Sequence, residues 1–242
     1  MNNPIEYLVI KLKPFVFYLI VVLILSNCSS KVESSKIEPN YIEPTPVEST
    51  VVEGTFKDTR DGQEYGFVVL KDGKKWMSEN LNFDSKGSYC YDHQETSCDK
   101  YGRLYDWEIA QSACPPGWHL PSEDEWWEMT KHYGKAFNGN APDDKENNAY
   151  AGAGKSAYKA LINGGDAKFN ALLGGAMLGK GFVELNKHGD YWTSTLGTAE
   201  TTAWVYVFSK KEELVSRNFT FNTMDFSCRC VADEAADSQR TK

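Results

Sequence analysis

The densest chemistry in this 242-residue chain lies in CPPGWHLPSEDEW, residues 114–126, where a thiol, an imidazole and three carboxylates share thirteen positions. A nucleophilic cysteine needs a histidine base and surroundings that favour the thiolate. His119 stands five residues after Cys114 on a stretch that Pro121 biases towards extended geometry, a poor placement for that pair. Zinc needs closely spaced ligands, yet His93, His119, His132 and His188 contain no i, i+4 pair and meet no Cys-x-x-Cys. No metal and no cofactor is therefore expected. The acids have a structural reading. Ser122 followed by Glu125 makes a capping box, in which serine accepts from the N3 amide and glutamate reaches back to the serine amide. Glu123, Asp124 and Glu125 then fill a first helical turn, where the helix dipole favours carboxylates.

The elements around this corner can be read from periodicity. Trp126, Met129, Thr130 and Tyr133 share one face of the capped helix, and Gly134 is expected to close it. Trp127 points about 100° away from Trp126, towards the rim or solvent. LYDWEIAQSAC (104–114) has the three-to-four spacing of a preceding short helix. Upstream, Asp61-Gly62 and Asp72-Gly73 separate runs of β-branched and aromatic residues and predict three antiparallel strands. Residues 138–189 are rich in Gly, Asn and Lys. Lys155–Ile162 is their helical piece, and NALLGGAMLGKGF (170–182) reads as a glycine-punctuated loop. DYWTST, TAWVYVFS, ELVSRNF and FSCRCVAD read as closing strands, and residues 234–242 as a disordered tail. The expected class is α+β.

The N-terminus carries a different signal. Lys11 and Lys13 precede the apolar run Phe15–Leu25, which is too short to span a bilayer, and Leu25-Ser26-Asn27-Cys28 follows. The ending resembles the lipobox of bacterial lipoproteins, with Asn27 where Gly or Ala is usual. Residues 1–27 are read as a lipoprotein signal peptide and Cys28 as the lipidated anchor, its acyl chains held by about 0.8 kcal/mol per buried methylene. Residues 28–53 are rich in Ser, Glu, Pro and Thr and read as a flexible linker. The domain then covers 54–233. A formal net charge of −8, with no basic patch, speaks against nucleic acid as a partner.

Exported proteins use cysteines as disulfides, and five remain after Cys28: Cys90, Cys98, Cys114, Cys228 and Cys230. Cys90 and Cys98 flank a short polar loop and can close it. Cys114 can join Cys230, closing more than a hundred residues for roughly 4–5 kcal/mol in the chain-entropy model. If SCRCV is a strand, Cys228 faces the same side as Cys230, so Cys114 has two candidate partners.

DGQEYGFVVLKDGKKWMSENLN, YCYDHQETSCDKYGRLYDWEIA, ACPPGWHLPSEDEW, DYWTST and CRCVAD, in this order between residues 53 and 233, resemble the signature blocks of the Fibrobacter succinogenes major paralogous domain. That family usually has Ser-Val-Arg-Cys near its end, and this chain has Ser227-Cys228-Arg229-Cys230, which implies that Cys228 is the free thiol. The family is similar to the C-type-lectin-like fold, whose helix-one to helix-two pattern is present as Trp107, Ala110, Cys114, Gly117, Leu120, Ser122 and Glu125. The resemblance implies two short helices packed on antiparallel sheets with long Gly/Asn-rich loops. It also implies the pairing Cys114–Cys230 beside Cys90–Cys98.

Members of the paralogous-domain family are largely exported bacterial proteins of unassigned activity, so the resemblance implies architecture more than function. The expected function is a non-catalytic, lipid-anchored envelope protein, placed at the outer membrane, that displays a domain for binding or adhesion. The expected ligand is a polysaccharide or a protein, with Trp127, Tyr91 and Tyr150 as candidate stacking rings. Calcium-lectin ligands are missing, since Trp-Asn-Asp does not occur and Glu38-Pro-Asn40 falls in the linker. Two alternatives stand beside this. A purely structural envelope component is one. The other is an oxidoreductase similar to the formylglycine-generating enzymes, in which two thiols such as Cys228 and Cys230 would hold Cu(I).

Overall fold

The structure, a computed structural model, describes residues 51–134 and 154–234. The signal peptide, Cys28, nearly all of the linker, Tyr150 and residues 235–242 lie outside the described residues. The predicted hairpins form as β1 (Glu53–Lys57), β2 (Glu64–Val69) and β3 (Lys75–Met77), paired antiparallel in chain order. Gly62 and Gly73, at φ 82° and 80°, supply the left-handed turn positions that the Asp-Gly pairs announce.

After a single 3-10 turn (Tyr91–His93) come α1 (Glu95–Tyr101), β4 (Leu104–Tyr105), α2 (Trp107–Ala113), β5 (Trp118–His119) and α3 (Glu123–Lys131). Then follow α4 (Lys155–Leu161), β6 (Ala176–Leu178), β7 (Gly181–Val183), β8 (His188–Leu196), β9 (Thr202–Ser209), β10 (Leu214–Phe221), β11 (Phe226–Ser227) and β12 (Val231–Ala232). Two five-stranded sheets result, ordered β1-β2-β3-β12-β5 and β10-β9-β8-β11-β4, with β6-β7 as a separate hairpin. Pairing is antiparallel except where β11 meets β8. The class is α+β.

Several expectations need correction. Four helices are present among the described residues: the helical piece expected at Lys155–Ile162 forms as α4, and α1, whose start lies inside the loop closed by Cys90 and Cys98, is the one not expected. The helix expected from Leu104 starts at Trp107, because the Asp106 side chain accepts the Ile109 amide (2.8 Å) and caps it there. Leu104 and Tyr105 pair instead with Ser227 and Phe226. The glycine-rich 170–182 segment holds β6 and β7, whose turn uses Gly179 at φ 66°. The last strand divides: β11 belongs to one sheet and β12 to the other. Cys228-Arg229-Cys230 crosses between them, and their carbonyls are taken up from alongside, Cys228 O by Leu81 N and Cys230 O by Met77 N (both 3.0 Å).

The core has two main parts. In one, Trp126 meets Trp76, Phe169, Tyr206 and Phe208, with centroids 5.1–6.5 Å apart. Such pairs contribute about 0.5–1.5 kcal/mol each beyond area burial. The other gathers Tyr65, Met77, Leu81, Tyr105, Trp192 and Phe226 around Cys228 and Cys230.

Candidate functional site

The thiols are occupied. Cys90 joins Cys98, and Cys114 joins Cys230 across 116 residues of sequence. Cys228 is the free thiol among the described residues, fully buried, and burial pushes it far above an ordinary thiol. Cys90, Cys98 and Glu95 lie close enough together to suggest a metal, but both sulfurs are spent in the disulfide.

His119 is therefore not a base for Cys114. Its Nδ1 lies 2.7 Å from Asp233 Oδ1 and its Nε2 3.0 Å from Glu125 Oε1. Partial burial lowers its pKa, but the bonds to Asp233 and Glu125 outweigh that and raise it. The capping box is complete, with Ser122 Oγ accepting the Glu125 amide and Glu125 accepting the Ser122 amide (2.8 Å). Lys74 adds ion pairs to Glu125 and Glu234. The opening stretch is a clasp between α3 and the end of the chain.

Ser209 stands near His188 (Oγ to Nε2, 3.4 Å) and donates to Glu212. In a catalytic triad the acid holds the imidazole and the imidazole holds the hydroxyl. Here the acid takes the hydroxyl directly, so the three groups do not form that relay.

Two of the candidate stacking rings are corrected. Trp127 is 4% exposed and Tyr91 9% exposed. Trp127 lies on α3, which packs against the sheet at β8 and β9. Tyr91 is packed against Phe182 (5.0 Å), a contact created by the β6-β7 hairpin that the sequence reading missed. The third, Tyr150, lies outside the described residues.

The structure presents other rings. Phe219 and Phe221, 41% and 58% exposed, occupy alternate positions of β10, an edge strand, and so share a face. Phe219 is the cross-strand partner of Trp204, with rings 5.4 Å apart and edge-on, and the Arg217 guanidinium sits 4.0 Å over the Trp204 ring. The signal in sequence was the i, i+2 pair in NFTF, which alternation leaves facing either way.

On the opposite face of the same sheet lies a half-open cavity of about 220 Å³. The β6-β7 hairpin forms one wall, held there by a bridge between Gly175 and Gly189. A Cβ at Gly189 would strike the Leu172 carbonyl, so this close approach requires glycine. Ala176, Val183, Val205, Val207 and Phe226 make the walls apolar. Asp190 also lines the cavity, 9% exposed, and its carboxyl has no hydrogen-bond or ion-pair partner among the described residues. Burial first, and Glu184 second, push it up to about 7.

The model of the Fibrobacter succinogenes major domain family matches residues 69–232. No curated protein and no solved structure matches the chain.

Proposed function

Because the chain belongs to the Fibrobacter succinogenes major domain family, we propose that it is a lipid-anchored, non-catalytic envelope protein whose disulfide-bonded domain binds an extracellular polysaccharide. Cys28 carries the lipid at the outer membrane, residues 28–53 give reach, and the domain presents its ligand face outward. The observation that carries the binding reading is the row Phe219, Phe221 and Trp204 on β10 and its neighbour. Apolar rings left in solvent on a sheet edge mark an interaction surface, and flat exposed rings such as Phe219 and Phe221 suit the C–H faces of a sugar. The disulfides support an exported domain, and Cys230, one of the two thiols the copper alternative invokes, is taken up by Cys114.

The test is a polysaccharide array probed with the full chain in detergent, alongside Phe219→Ser/Phe221→Ser. Both rings are exposed, so the variant is expected to fold and to lose at least tenfold in apparent affinity. Undiminished binding by the variant would remove the β10 face from the reading, and silence of the parent chain on every polysaccharide would remove the ligand class.

A further inference from the structure

A buried carboxyl without a partner is an anomaly that calls for a physical account. Asp190 is such a group: its side chain lines the cavity under the β6-β7 hairpin, nine-tenths buried, with no donor supplied by the described residues. Burying an unpaired carboxylate costs several kcal/mol unless it takes up a proton or meets a cation. Among the described residues none supplies a cation to it. The titratable groups at the cavity besides Asp190 are Glu184, at the exposed rim and paired with Lys187 at 3.5 Å, and His188, whose Nε2 is turned to Ser209. Asn218 and Thr220, on β10, add polar groups without charge.

The rest of the lining selects among cations. Val183, Val205, Val207 and Ala176 give smooth aliphatic walls, which suit a methylene chain. About 220 Å³ is below the 300–1,000 Å³ of sites that enclose a whole small molecule. It matches a single side chain entering from one end. A dehydrated metal ion needs several converging oxygens, and no carboxylate or imidazole cluster of that kind surrounds Asp190 among the described residues. A sugar ring would bury hydroxyls against valines.

We propose that this cavity is a docking site for a primary alkylammonium group, the side chain of a lysine on a partner protein, with Asp190 at its floor as counter-ion. The methylenes lie along Val183, Val205 and Val207, and the ammonium group donates to Asp190, with Asn218 and Thr220 within the same lining. Glu184 at the rim attracts the incoming charge. The site lies on the face of the sheet opposite Phe219 and Phe221, so it adds a second kind of partner to the polysaccharide reading and does not depend on it.

The experiment titrates the full chain in detergent with Nα-acetyl-lysine methylamide, following the methyl resonances of Val183, Val205 and Val207. The uncharged Nα-acetyl-norleucine methylamide and the arginine analogue run in parallel. The expected result is saturable shifts at these methyls with the lysine compound. Affinity should fall at least tenfold for norleucine and at least tenfold in Asp190→Asn, a variant of the same shape. Equal binding of norleucine would overturn the proposal, as would lysine binding unaffected by Asp190→Asn, preference for arginine, or no shift at these methyls. A positive polysaccharide array beside a silent lysine titration would remove this cavity alone and leave the Proposed function standing.

Discussion

Among the described residues no carboxylate pairs with buried Arg229, which is held by an amide: its Nη2 and Nε donate to Asn80 Oδ1 at 2.6 and 3.2 Å. Its other bonds go to the carbonyls of Met77, Phe169 and Asn170, and its guanidinium stacks over Phe169, 4.5 Å to the centroid. Burial lowers its pKa. Asn80 in turn donates to Tyr101 O (2.8 Å) and Ser227 Oγ (3.3 Å), tying α1 and β11 to the same point. One cation, satisfied by neutral oxygens, joins residues from both sheets and from the segment after α4.

Asn80→Ala removes the acceptor and leaves this buried cation short of a bond. Hydrogen bonds to charged groups contribute about 1.5–3 kcal/mol, and an unsatisfied buried charge costs at least as much. Urea unfolding of the variant is expected to show a loss of about 3 kcal/mol. A loss below about 1 kcal/mol would mean that water or a rearranged backbone replaces Asn80.

The two disulfides should differ in weight. The chain-entropy model gives about 4–5 kcal/mol for the loop closed by Cys114–Cys230 and about 2–3 kcal/mol for that closed by Cys90–Cys98, because their sequence separations are 116 and 8. Cys114→Ala/Cys230→Ala is therefore expected to lower the melting temperature more than Cys90→Ala/Cys98→Ala. The reverse order would show that local order around α1 controls unfolding.

Thiol titration reads both the cysteine frame and the lipid. In native protein Cys228 is expected to resist thiol reagents, since it is fully buried and its thiolate is strongly disfavoured. Denatured under non-reducing conditions, the mature chain should yield one thiol if Cys28 is acylated and two if it is not. Three or more would mean that a disulfide is open in the exported protein.

Stability should fall as pH rises towards neutrality. Burial, reinforced by Glu184 for Asp190 and by Asp106 for Asp225, raises both carboxyls from the ordinary 3.8 to about 7. Above about pH 4 the unfolded chain has released these protons while the folded protein keeps them. Each group thus removes up to about 1.4 kcal/mol per pH unit until its folded pKa is reached, and the loss then levels off. His119 acts in the same direction: its raised pKa gives stability in full below its ordinary 6.5 and loses it as pH passes the folded value. With 40% of its side chain exposed, its share is small. Melting curves from pH 5 to 8 should slope downward in the parent chain and less in Asp190→Asn. An unchanged slope in that variant would mean that Asp190 is ionised throughout.

Local signals carried far into the structure. Ser122 with Glu125, and Asp-Gly at 61–62 and 72–73, mark a helix start and two turns because each acts within a few residues. The Cys114–Cys230 pairing came from resemblance, since spacing alone left Cys228 open. What escaped notice depends on partners remote in sequence. Leu104–Tyr105 could equally begin a helix until β11 pairs with them. Ala176–Val183 becomes a hairpin because Gly175 can lie against Gly189. Asp190 sits in a strand that reads simply as polar-aromatic alternation, and its isolation is visible only once the hairpin closes over it.

The placement of β1 has a mechanical consequence. It is an outer strand whose backbone ladder is made with β2 alone, and both disulfides lie beyond it in sequence. A pull delivered through residues 28–53 therefore reaches the Glu53–Lys57 ladder first and can peel it from its open end, rung by rung. Beyond it, load passes to β3, and from there to the strand that follows Cys230. The first hairpin can thus yield under such a load while the segment closed by Cys114–Cys230 stays covalently locked.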